Sequence, residues 1–330
     1  MSLLEVNNLH TYFKTKKGIV KAVNDVTYSL EAGKTLGIVG ESGSGKSVSA
    51  MSIIKLLDGN GWIDSGEITF DGKDILACTN KEMYHIRGNE ISVMFQEPMT
   101  SLNPVFTVER QIGETLQIHQ NMTKKEARKK AVDLLADVKI PNPERVAKQY
   151  PFQLSGGMRQ RVMIAMALAC KPKLLIADEP TTALDVTIQA QVLDLLRHLK
   201  DKINSSIMFI THDLGVIAEM ADYVVVMYAG RVVEKGTAQE IFANPAHPYT
   251  IGLMASKPVV GKKVDKLYSI PGKVPNPVNM PDYCYFKDRC EMCVEGCQGD
   301  YPHEVSLSPT HKVSCYRYYN KDTAGKGGDR

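Results

Sequence analysis

One glycine-rich stretch limits what this chain can fold into more than any other feature: Gly40-Glu41-Ser42-Gly43-Ser44-Gly45-Lys46-Ser47. It fits the pattern G-x-x-x-x-G-K-[ST] of a phosphate-binding loop at every fixed position. Glycines let successive backbone N–H groups curl around phosphate oxygens, and a helix that follows adds its positive N-terminal end. We therefore expect the loop backbone to hold phosphates, Lys46 to reach the β- and γ-phosphates, and Ser47 to bind Mg²⁺.

The residues on both sides of this loop have the pattern that a phosphate loop requires. Thr35–Val39 is a short apolar run of the buried-strand type, and Val48, Met51 and Ile54 recur at a helical interval behind the loop. The alternative is a flexible Gly/Ser-rich loop that ends in Lys-Ser by chance. The predicted order of strand, loop and helix favours the phosphate site over this alternative.

The whole chain has the composition of an ordinary globular protein. It has 330 residues, 43% of them hydrophobic and 23% charged, with a formal net charge of +3. This balance gives no global electrostatic case for nucleic-acid binding. The N-terminus lacks the zones of a signal peptide, and no apolar run approaches the roughly 18 residues of a membrane span. We expect a cytosolic protein with one large or two modest domains.

Two further apolar runs end directly in polar residues. Leu174–Ala177 leads into Asp178 and Glu179, and Ile207–Ile210 leads into Thr211-His212-Asp213. Ligands of a doubly wound sheet bind outside the carboxyl ends of its strands, so we expect these polar residues on the phosphate side. Two solvated acids and a structural histidine are the alternatives, and the position directly after buried strands favours a functional role.

The first forty residues have the pattern of antiparallel strands that lie beside the phosphate-loop core. Val26–Leu30 alternates apolar and polar residues, as a half-buried strand does. Tyr12 and Phe13 lie between the strand signals. An aromatic ring at this place could stack on an adenine, but the residues alone favour an ordinary strand aromatic.

The segment between about residues 97 and 154 has a helical pattern. Thr123-Lys124-Lys125-Glu126 has the form of a capping box, and the apolar residues that follow mark one helical face. The basic residues near its start favour a solvated helix face over a nucleic-acid surface, because no interleaved aromatic residues accompany them.

The composition changes again from about residue 240. Asn244–Thr250 and Ile270–Pro277 are rich in proline and cannot form long helices. Five of the seven cysteines then fall between Cys284 and Cys315. In a reducing compartment such clustering favours metal ligation over disulfides. The polar tail from Asn320 to Arg330 has the composition of a disordered segment.

Placed side by side, these motifs resemble those of the ATP-binding subunit of an ATP-binding cassette (ABC) transporter, and the resemblance covers nearly all of the chain. The matching motifs, in the order of that family, are the phosphate loop at 40–47, the Q-loop at Gln96, the signature Leu154-Ser155-Gly156-Gly157, the Walker B strand at 174–178 with Glu179 after it, the D-loop Ala183-Leu184-Asp185, and the switch histidine His212.

The resemblance implies an α/β fold with a P-loop NTPase core built on a mostly parallel, RecA-like sheet. To this core it adds an N-terminal antiparallel β subdomain, an α-helical subdomain inserted at about 97–160, and a small C-terminal cysteine-rich extension. Residues 1–240 would form the nucleotide-binding domain, and residues 241–330 would form the extension and a disordered tail.

The resemblance also implies ATP and Mg²⁺ as cofactors and gives roles to single residues. Ser47, Gln96 and Asp178 would bind Mg²⁺, and Gln96 would also couple the site to a membrane partner. Glu179 would polarise the attacking water, and His212 would contact the γ-phosphate side. The remaining positions would bind nucleotide: Phe13 on the adenine, with Tyr12 a near alternative, and Ser155 and Gly157 on the ATP held by a second subunit in a head-to-tail dimer.

Within this family the chain resembles the dipeptide, oligopeptide or nickel importer branch. Asn244–Thr250 is similar to the Asn-Pro-x-His-Pro-Tyr-Thr element of that branch, and a cysteine-bearing extension follows it. The branch's cysteine pattern falls on Cys284, Cys290, Cys297 and Cys315, which would bind a [4Fe–4S] cluster. Cys293 is extra and forms a Cys-x2-Cys pair with Cys290, which suits zinc as the alternative.

The implied activity is ATP hydrolysis that powers import of di- or oligopeptides, on the cytoplasmic face of the membrane. The implied partners are membrane permease subunits, a second ATPase subunit and, indirectly, an extracytoplasmic peptide-binding protein, with no nucleic acid. A nickel or other small-solute importer is one alternative. Another is a soluble cassette ATPase that acts on the ribosome or on DNA, but this chain lacks the long heptad insertion of the repair class and the tandem cassettes of the ribosomal class.

Overall fold

The computed structural model of the chain describes residues 2–95, 101–181, 185–256 and 268–319. Its strands are, in chain order, β1 (Ser2–Thr15), β2 (Gly18–Glu31), β3 (Thr35–Val39), β4 (Gly61–Phe70), β5 (Lys73–Asp74), β6 (Ile91–Met94), β7 (Leu174–Asp178), β8 (Ser206–Thr211), β9 (Tyr223–Tyr228), β10 (Arg231–Thr237), β11 (Val305–Ser306) and β12 (Lys312–Val313).

The helices alternate with these strands through most of the chain. They are α1 (Lys46–Ile53), α2 (Asn80–Ile86), α3 (Val108–Gln120), α4 (Lys124–Asp137), α5 (Pro143–Ala147), α6 (Gly156–Ala167), α7 (Val186–Ile203), α8 (Leu214–Met220), α9 (Ala238–Ala243) and α10 (Pro248–Ala255). In the described ranges, none of the helices has both the length and the apolar character needed to cross a bilayer.

The chain divides into two compact units. The first unit is built mainly from residues 75–210, together with 30–35. The second is built from residues 4–29, 36–74 and the chain from 211 onward. The predicted boundary at residue 240 between a nucleotide-binding domain and an extension stays a prediction.

The first unit contains three parallel strands and the inserted helices. β7 lies between β6 and β8, and all residues of β7 and β8 are buried. Continuous apolar strands of this kind are typical of parallel sheets covered on both faces. The capping box of α4 forms as expected: the Glu126 carboxylate accepts the Thr123 N–H at 2.8 Å, and Thr123 Oγ1 accepts the Glu126 N–H at 3.4 Å. The predicted buried strands and helical segment are confirmed.

The second unit contains two groups of strands. One is a four-stranded sheet in the order β2-β1-β4-β5, in which β1 and β4 are antiparallel. This is the predicted N-terminal antiparallel subdomain. In the other group, β3 pairs in parallel with β9, β9 pairs antiparallel with β10, and β12 joins the outer edge of β10. The last strands of the chain therefore extend the same group of strands that leads into the phosphate loop.

Helix α1 forms where the sequence predicts it, but of the three predicted apolar positions only Ile54, at its C-terminal cap, is buried. Its buried residues are Lys46, Ser49, Ala50, Ser52 and Ile53, whereas Val48 and Met51 are only partly buried. Ser49 Oγ lies 2.7 Å from the Tyr28 hydroxyl, and Ser52 Oγ lies 2.8 Å from Thr11 Oγ1. Hydrogen bonds satisfy these buried serines, so apolar periodicity could not reveal the inner face.

The region after residue 268 consists mainly of turns and short 3₁₀ segments, and it is tied to the start of the chain. Val278 forms an antiparallel bridge with Val20, and Asn279 donates its backbone N–H to the carbonyl of Ile19 at 3.0 Å. Asn24 donates from Nδ2 to the Tyr285 hydroxyl at 2.9 Å. The predicted disordered tail, 320–330, lies outside the described residues.

Candidate functional site

The phosphate loop leaves β3, whose five residues are all buried, and ends where α1 begins at Lys46. Gly45 has a φ of 93° and is the N-cap of α1, and Gly43 has a φ of 76°. Both values lie in the left-handed region that favours glycine. The predicted strand, loop and helix are all present, so the loop has the backbone shape that presents N–H groups to an anion at a helix N-terminus.

The loop lies directly against two other backbone segments. A methyl group added to Gly40 would come within 2.1 Å of the Met227 carbonyl oxygen, and one added to Gly45 would come within 2.2 Å of the Ala22 carbonyl oxygen. Gly230 also donates its N–H to the Ser44 carbonyl at 3.0 Å. These contacts explain why glycine is required at both ends of the loop, and they hold the loop in one conformation.

The Lys46 side chain lies over the loop. Its ammonium group donates hydrogen bonds to the carbonyls of Gly40 at 2.7 Å and Glu41 at 2.9 Å. Ser44 is buried beneath it, whereas Ser42 and Ser47 are exposed. A buried ammonium group held by loop carbonyls lies at the position from which it can reach phosphates on the same loop.

The first unit carries the predicted carboxylates at the end of β7. Asp178 is its last residue and is buried, and it pairs with Ile210 of β8. Glu179 follows with a φ of 47°, and its N–H donates to the Ile210 carbonyl at 2.8 Å. A left-handed conformation is costly for a residue with a β-carbon and is found where surrounding structure imposes it, often at functional sites.

Helix α6 contacts the chain directly after Glu179. Gln160 of α6 is buried and donates from Nε2 to the Pro180 carbonyl. The signature residues lie at the start of the same helix: Ser155 is the N-cap and accepts the Met158 N–H at 3.3 Å. Ser155 is exposed, and Gly157 packs near Ile188. The exposed helix N-terminus is suited to meet an anion from outside the unit.

His212 belongs to the second unit and follows β8 directly. Its side chain is exposed, and the next residue, Asp213, caps α8 by accepting the Gly215 N–H at 2.8 Å. Gln96 and the D-loop residues Ala183 and Leu184 lie outside the described residues. The predicted roles of these three residues stay predictions. The prediction that His212 acts together with Asp178 and Glu179 at one site also stays a prediction.

The two candidate adenine aromatics have different surroundings in β1. Phe13 lies over Gly61, because a methyl group added there would come within 2.6 Å of the ring. The Tyr12 hydroxyl lies 2.9 Å from His10 Nδ1, and its ring meets Trp62 edge to face at 6.0 Å. The Tyr12 side chain therefore already contacts His10 and Trp62, and Phe13 is the ring with fewer contacts.

The His-Pro-Tyr element of the C-terminal region connects to the phosphate loop. The Tyr249 hydroxyl accepts the Glu41 N–H at 2.7 Å. Burial lowers the pKa of His247 to about 4, so its ring is neutral at pH 7 and Nδ1 accepts the Tyr249 N–H at 3.0 Å. Buried Glu234 accepts the N–H groups of Ala246 and His247 at 2.7 and 2.8 Å. The element thus fixes the first turn of α10 and the tyrosine that contacts the loop.

A second contact to the loop was not predicted from the sequence. Arg289 donates from Nη1 and Nη2 to the two carboxylate oxygens of Glu41, at 2.6 and 3.1 Å. Arg289 also donates to the carbonyl of Pro271 at 2.8 Å. The partners of this ion pair are 248 residues apart in the chain. No local pattern links them, although the charge of Glu41 inside a phosphate loop is a signal that a partner is needed.

The five clustered cysteines carry free thiols. Burial raises the pKa of Cys284 to about 12, and the neighbouring thiols of Cys297, Cys315 and Cys290 add to the rise. Burial likewise raises the pKa of Cys315 to about 11, again with help from Cys297 and Cys290. The four thiols of the predicted ligand set thus lie within electrostatic range of one another. Cys293 is exposed, but partial desolvation and the neighbouring thiols of Cys297 and Cys290 also raise its pKa, so it lies in the same cluster.

The arrangement of these side chains does not by itself form a metal site. Across residues 2–95, 101–181, 185–256 and 268–319, no group of three or more histidine, cysteine, aspartate or glutamate side chains could hold a metal ion. The predicted [4Fe–4S] cluster and the zinc alternative therefore have no support from a formed coordination site.

Comparison with known proteins gives matches over nearly the entire chain. A family model described as "ABC transporter" matches residues 23–182, and one described as "Oligopeptide/dipeptide transporter, C-terminal region" matches residues 233–297. The oligopeptide transport ATP-binding protein AppD of Bacillus subtilis is 52% identical over 318 residues, which cover 96% of this chain and 97% of that protein. OppD of Haemophilus influenzae is 52% identical over 90% of this chain and 91% of its own length.

A solved structure is similar in fold. The ATP-binding cassette MJ0796, in a dimeric post-hydrolysis state bound to ADP and phosphate, gives a TM-score of 0.64 at 29% identity. The match covers 71% of this chain and 98% of that protein. The predicted P-loop NTPase fold is confirmed, while a separate cysteine-rich extension stays a prediction.

The close backbone packing of the loop leads to a first prediction. Gly40→Ala should push the loop away from Met227 and weaken binding of inorganic triphosphate at least about tenfold, because the backbone donors move from their positions. Isothermal titration calorimetry measures the affinity. Gly59→Ala is the matched control, because a methyl group there meets nothing within 4 Å and its φ is not positive. Equal affinities of the two variants would show that the loop does not bind phosphate in this conformation.

Proposed function

The chain belongs to the ABC transporter ATPases and carries the C-terminal region of the oligopeptide and dipeptide transporters, and on this basis we propose that it hydrolyses ATP to power import of di- and oligopeptides through a membrane transporter. The observation that carries the proposal is the match to a relative named for oligopeptide transport over 96% of the chain, with the C-terminal region included. Nothing favours the alternatives of a ribosome- or nucleic-acid-linked ATPase or a nickel importer.

The residues of the second unit support binding of the ATP phosphates. The backbone N–H groups of 40–47 and the N-terminus of α1 would bind phosphate oxygens, and Lys46 would exchange its loop carbonyls for the β- and γ-phosphates. Phe13 would stack on the adenine. Bound Mg²⁺ would neutralise charge on the β- and γ-phosphate oxygens, and Ser47, Asp178 and Gln96 are its proposed ligands.

Glu179 and His212 supply the proposed chemistry of hydrolysis. The Glu179 carboxylate would accept a proton from the attacking water and orient it, and the strained backbone would fix the direction of this side chain. His212 would donate to the γ-phosphate side. Positioning and charge neutralisation of this kind account for most of the catalysis in phosphoryl transfer.

Ser155 and Gly157 would complete the site of a second ATPase subunit. Their helix N-terminus is exposed, so it is available to a nucleotide that another chain holds. The proposed assembly is a head-to-tail dimer of ATPase subunits on the cytoplasmic face of the membrane, bound to permease subunits. A peptide-binding protein outside the cytoplasm would act on this chain only through the membrane subunits.

The surface of the helical segment is suited to a permease contact. Val105 and Phe152 are 68% and 66% exposed, and the Tyr150 and Phe152 rings stack with centroids 5.6 Å apart. The stacked Tyr150 and Phe152 rings form a contiguous exposed aromatic patch, and contiguous apolar patches mark protein–protein contact sites. We assign to them the groove that holds a cytoplasmic helix of the permease, as an apolar groove holds an amphipathic helix.

The four thiols Cys284, Cys290, Cys297 and Cys315 have the donor chemistry of a [4Fe–4S] site. A single zinc ion would need sulfur atoms about 3.8 Å apart, as a tetrahedron with Zn–S bonds of about 2.3 Å requires. Four thiolates suit tetrahedral zinc as well as a cluster, and only the resemblance to the importer branch favours iron here. These cysteines would bind the cluster, and the cluster would stabilise a region with little apolar core.

The catalytic assignment predicts a separation of binding from turnover. In the assembled transporter, Glu179→Gln should bind ATP normally and lose at least about 100-fold in kcat, because the water loses its base. Lys46→Ala should instead lose ATP affinity. Measured ATP affinity and phosphate release distinguish the two, and Glu144→Gln, on helix α5, is the control. Parental turnover of the Glu179 variant would remove that residue from the mechanism.

The partner assignment predicts where the permease lies. A photo-crosslinking residue at 105 or 152 should capture a permease subunit in the assembled transporter. The same residue at Met292, in the C-terminal region and 44% exposed, should not. Capture of the permease only from position 292 would place the contact on the C-terminal region and reject the groove.

The cluster assignment predicts a coloured protein. Anaerobically purified protein should be brown, with broad absorption near ~400 nm from sulfur-to-iron charge transfer. Cys290→Ser should bleach this absorption, and Cys293→Ser should retain it. Colourless protein with one zinc ion per chain would establish zinc instead, and bleaching by Cys293→Ser alone would show that the ligand set is wrong.

A further inference from the structure

We infer that Arg289 is a positioning residue for ATP binding, which neutralises and anchors the Glu41 carboxylate inside the phosphate loop. This inference rests on the proposed function, because it assumes that the loop binds the ATP phosphates. It adds a residue of the C-terminal region to the determinants of nucleotide affinity, although this residue touches neither the nucleotide nor the reacting atoms.

The geometry of the pair is that of a fixed bidentate contact. The two terminal guanidinium nitrogens, Nη1 and Nη2, donate to Glu41, and the Arg289 side chain is only 5% exposed. Arg289 is held from the other side by the Pro271 carbonyl, to which its Nε donates. Its guanidinium also lies over the rings of Tyr228 and Phe286, at 5.7 and 5.9 Å. A buried arginine with these contacts has little freedom to release its carboxylate partner.

Glu41 needs such a partner because of its place in the chain. It lies between Gly40 and the loop residues whose N–H groups would bind the phosphates, and its own carbonyl accepts from Lys46 at 2.9 Å. An unpaired carboxylate here would repel the triphosphate and would compete with it for the Lys46 ammonium group. Pairing with Arg289 offsets this charge and engages both carboxylate oxygens.

The backbone at Glu41 is held by the same part of the chain. The Tyr249 hydroxyl accepts the Glu41 N–H, and the Tyr249 ring lies 4.7 Å from that of Tyr228. The C-terminal region therefore contacts this loop residue twice, once at its backbone and once at its carboxylate. Both contacts are made to Glu41 at the start of the loop, so the inference predicts an effect on ATP binding through the loop.

The test measures the affinity of the full chain for a non-hydrolysable ATP analogue by isothermal titration calorimetry. Arg289→Met should weaken binding about tenfold, because it leaves the Glu41 charge unpaired beside the phosphates. The double variant Arg289→Met/Glu41→Gln should return to within about threefold of the parent, since the charge itself is gone. A purely structural role of Arg289 would predict no such rescue.

Arg231→Met is the matched control. Arg231 is partly buried, with 12% of its side chain exposed; it pairs with Asp25 at 3.1 Å and lies over Tyr301 in the C-terminal region at 4.1 Å, and none of its hydrogen bonds, ion pairs or ring contacts in the described part of the chain involves the phosphate loop. It should bind the analogue with parental affinity. Equal loss in the two arginine variants would show that any loosening of the C-terminal region weakens binding, and it would overturn the inference.

If Arg289→Met does not fold, two variants of Glu41 test whether the pair with Arg289 supports ATP binding. Glu41→Asp keeps the charge but shortens the side chain and breaks the bidentate pair, whereas Glu41→Gln removes the charge at constant length. The inference predicts weaker binding by Glu41→Asp than by Glu41→Gln, and the reverse order would overturn it. A parent protein that does not bind the analogue at all would instead reject the proposed function.

Discussion

The phosphate loop is held by direct contact between backbones, and the rest of the second unit is arranged around this contact. The loop glycines Gly40 and Gly45 lie against the carbonyls of Met227 and Ala22, with no room for a β-carbon. Strands β9 and β2 must therefore be in place before the loop has its shape. A loop fixed in this way presents its N–H groups without reorganisation when an anion arrives, which is the source of electrostatic stabilisation in phosphate sites.

In the first unit, neighbouring structure likewise imposes the backbone conformation of Glu179. Its left-handed backbone is held by a hydrogen bond to Ile210 of the neighbouring strand, and the chain that follows is held by Gln160 of the signature helix. A shift of α6 would therefore also move the carbonyl of Pro180, one residue from the proposed base. This short path gives a physical route by which contacts at the signature can affect hydrolysis within the same chain.

Sequence reasoning located the elements well wherever a local pattern encodes them. The apolar runs 174–177 and 207–210 form most of β7 and β8, and the cap at Thr123 appears as a four-residue motif. It could not identify the inner face of α1, which is built on hydrogen-bonded Ser49 and Ser52. It also missed the pair of Glu41 and Arg289, because two residues 248 positions apart share no periodic pattern in the sequence. The family resemblance supplied the proposed catalytic residues, and only the structure shows the long-range contacts that hold the chain around them.

The sequence distance between Glu41 and Arg289 also has a consequence for synthesis on the ribosome. At elongation rates of about 5–20 residues per second, the ribosome takes roughly 12–50 s to advance the 248 positions from Glu41 to Arg289. Throughout this interval the nascent phosphate loop has an acidic side chain without its cation. The loop reaches its final electrostatic state only when the last part of the chain has emerged, so a prematurely terminated product would contain the complete phosphate-loop motif and still lack the residue that neutralises it.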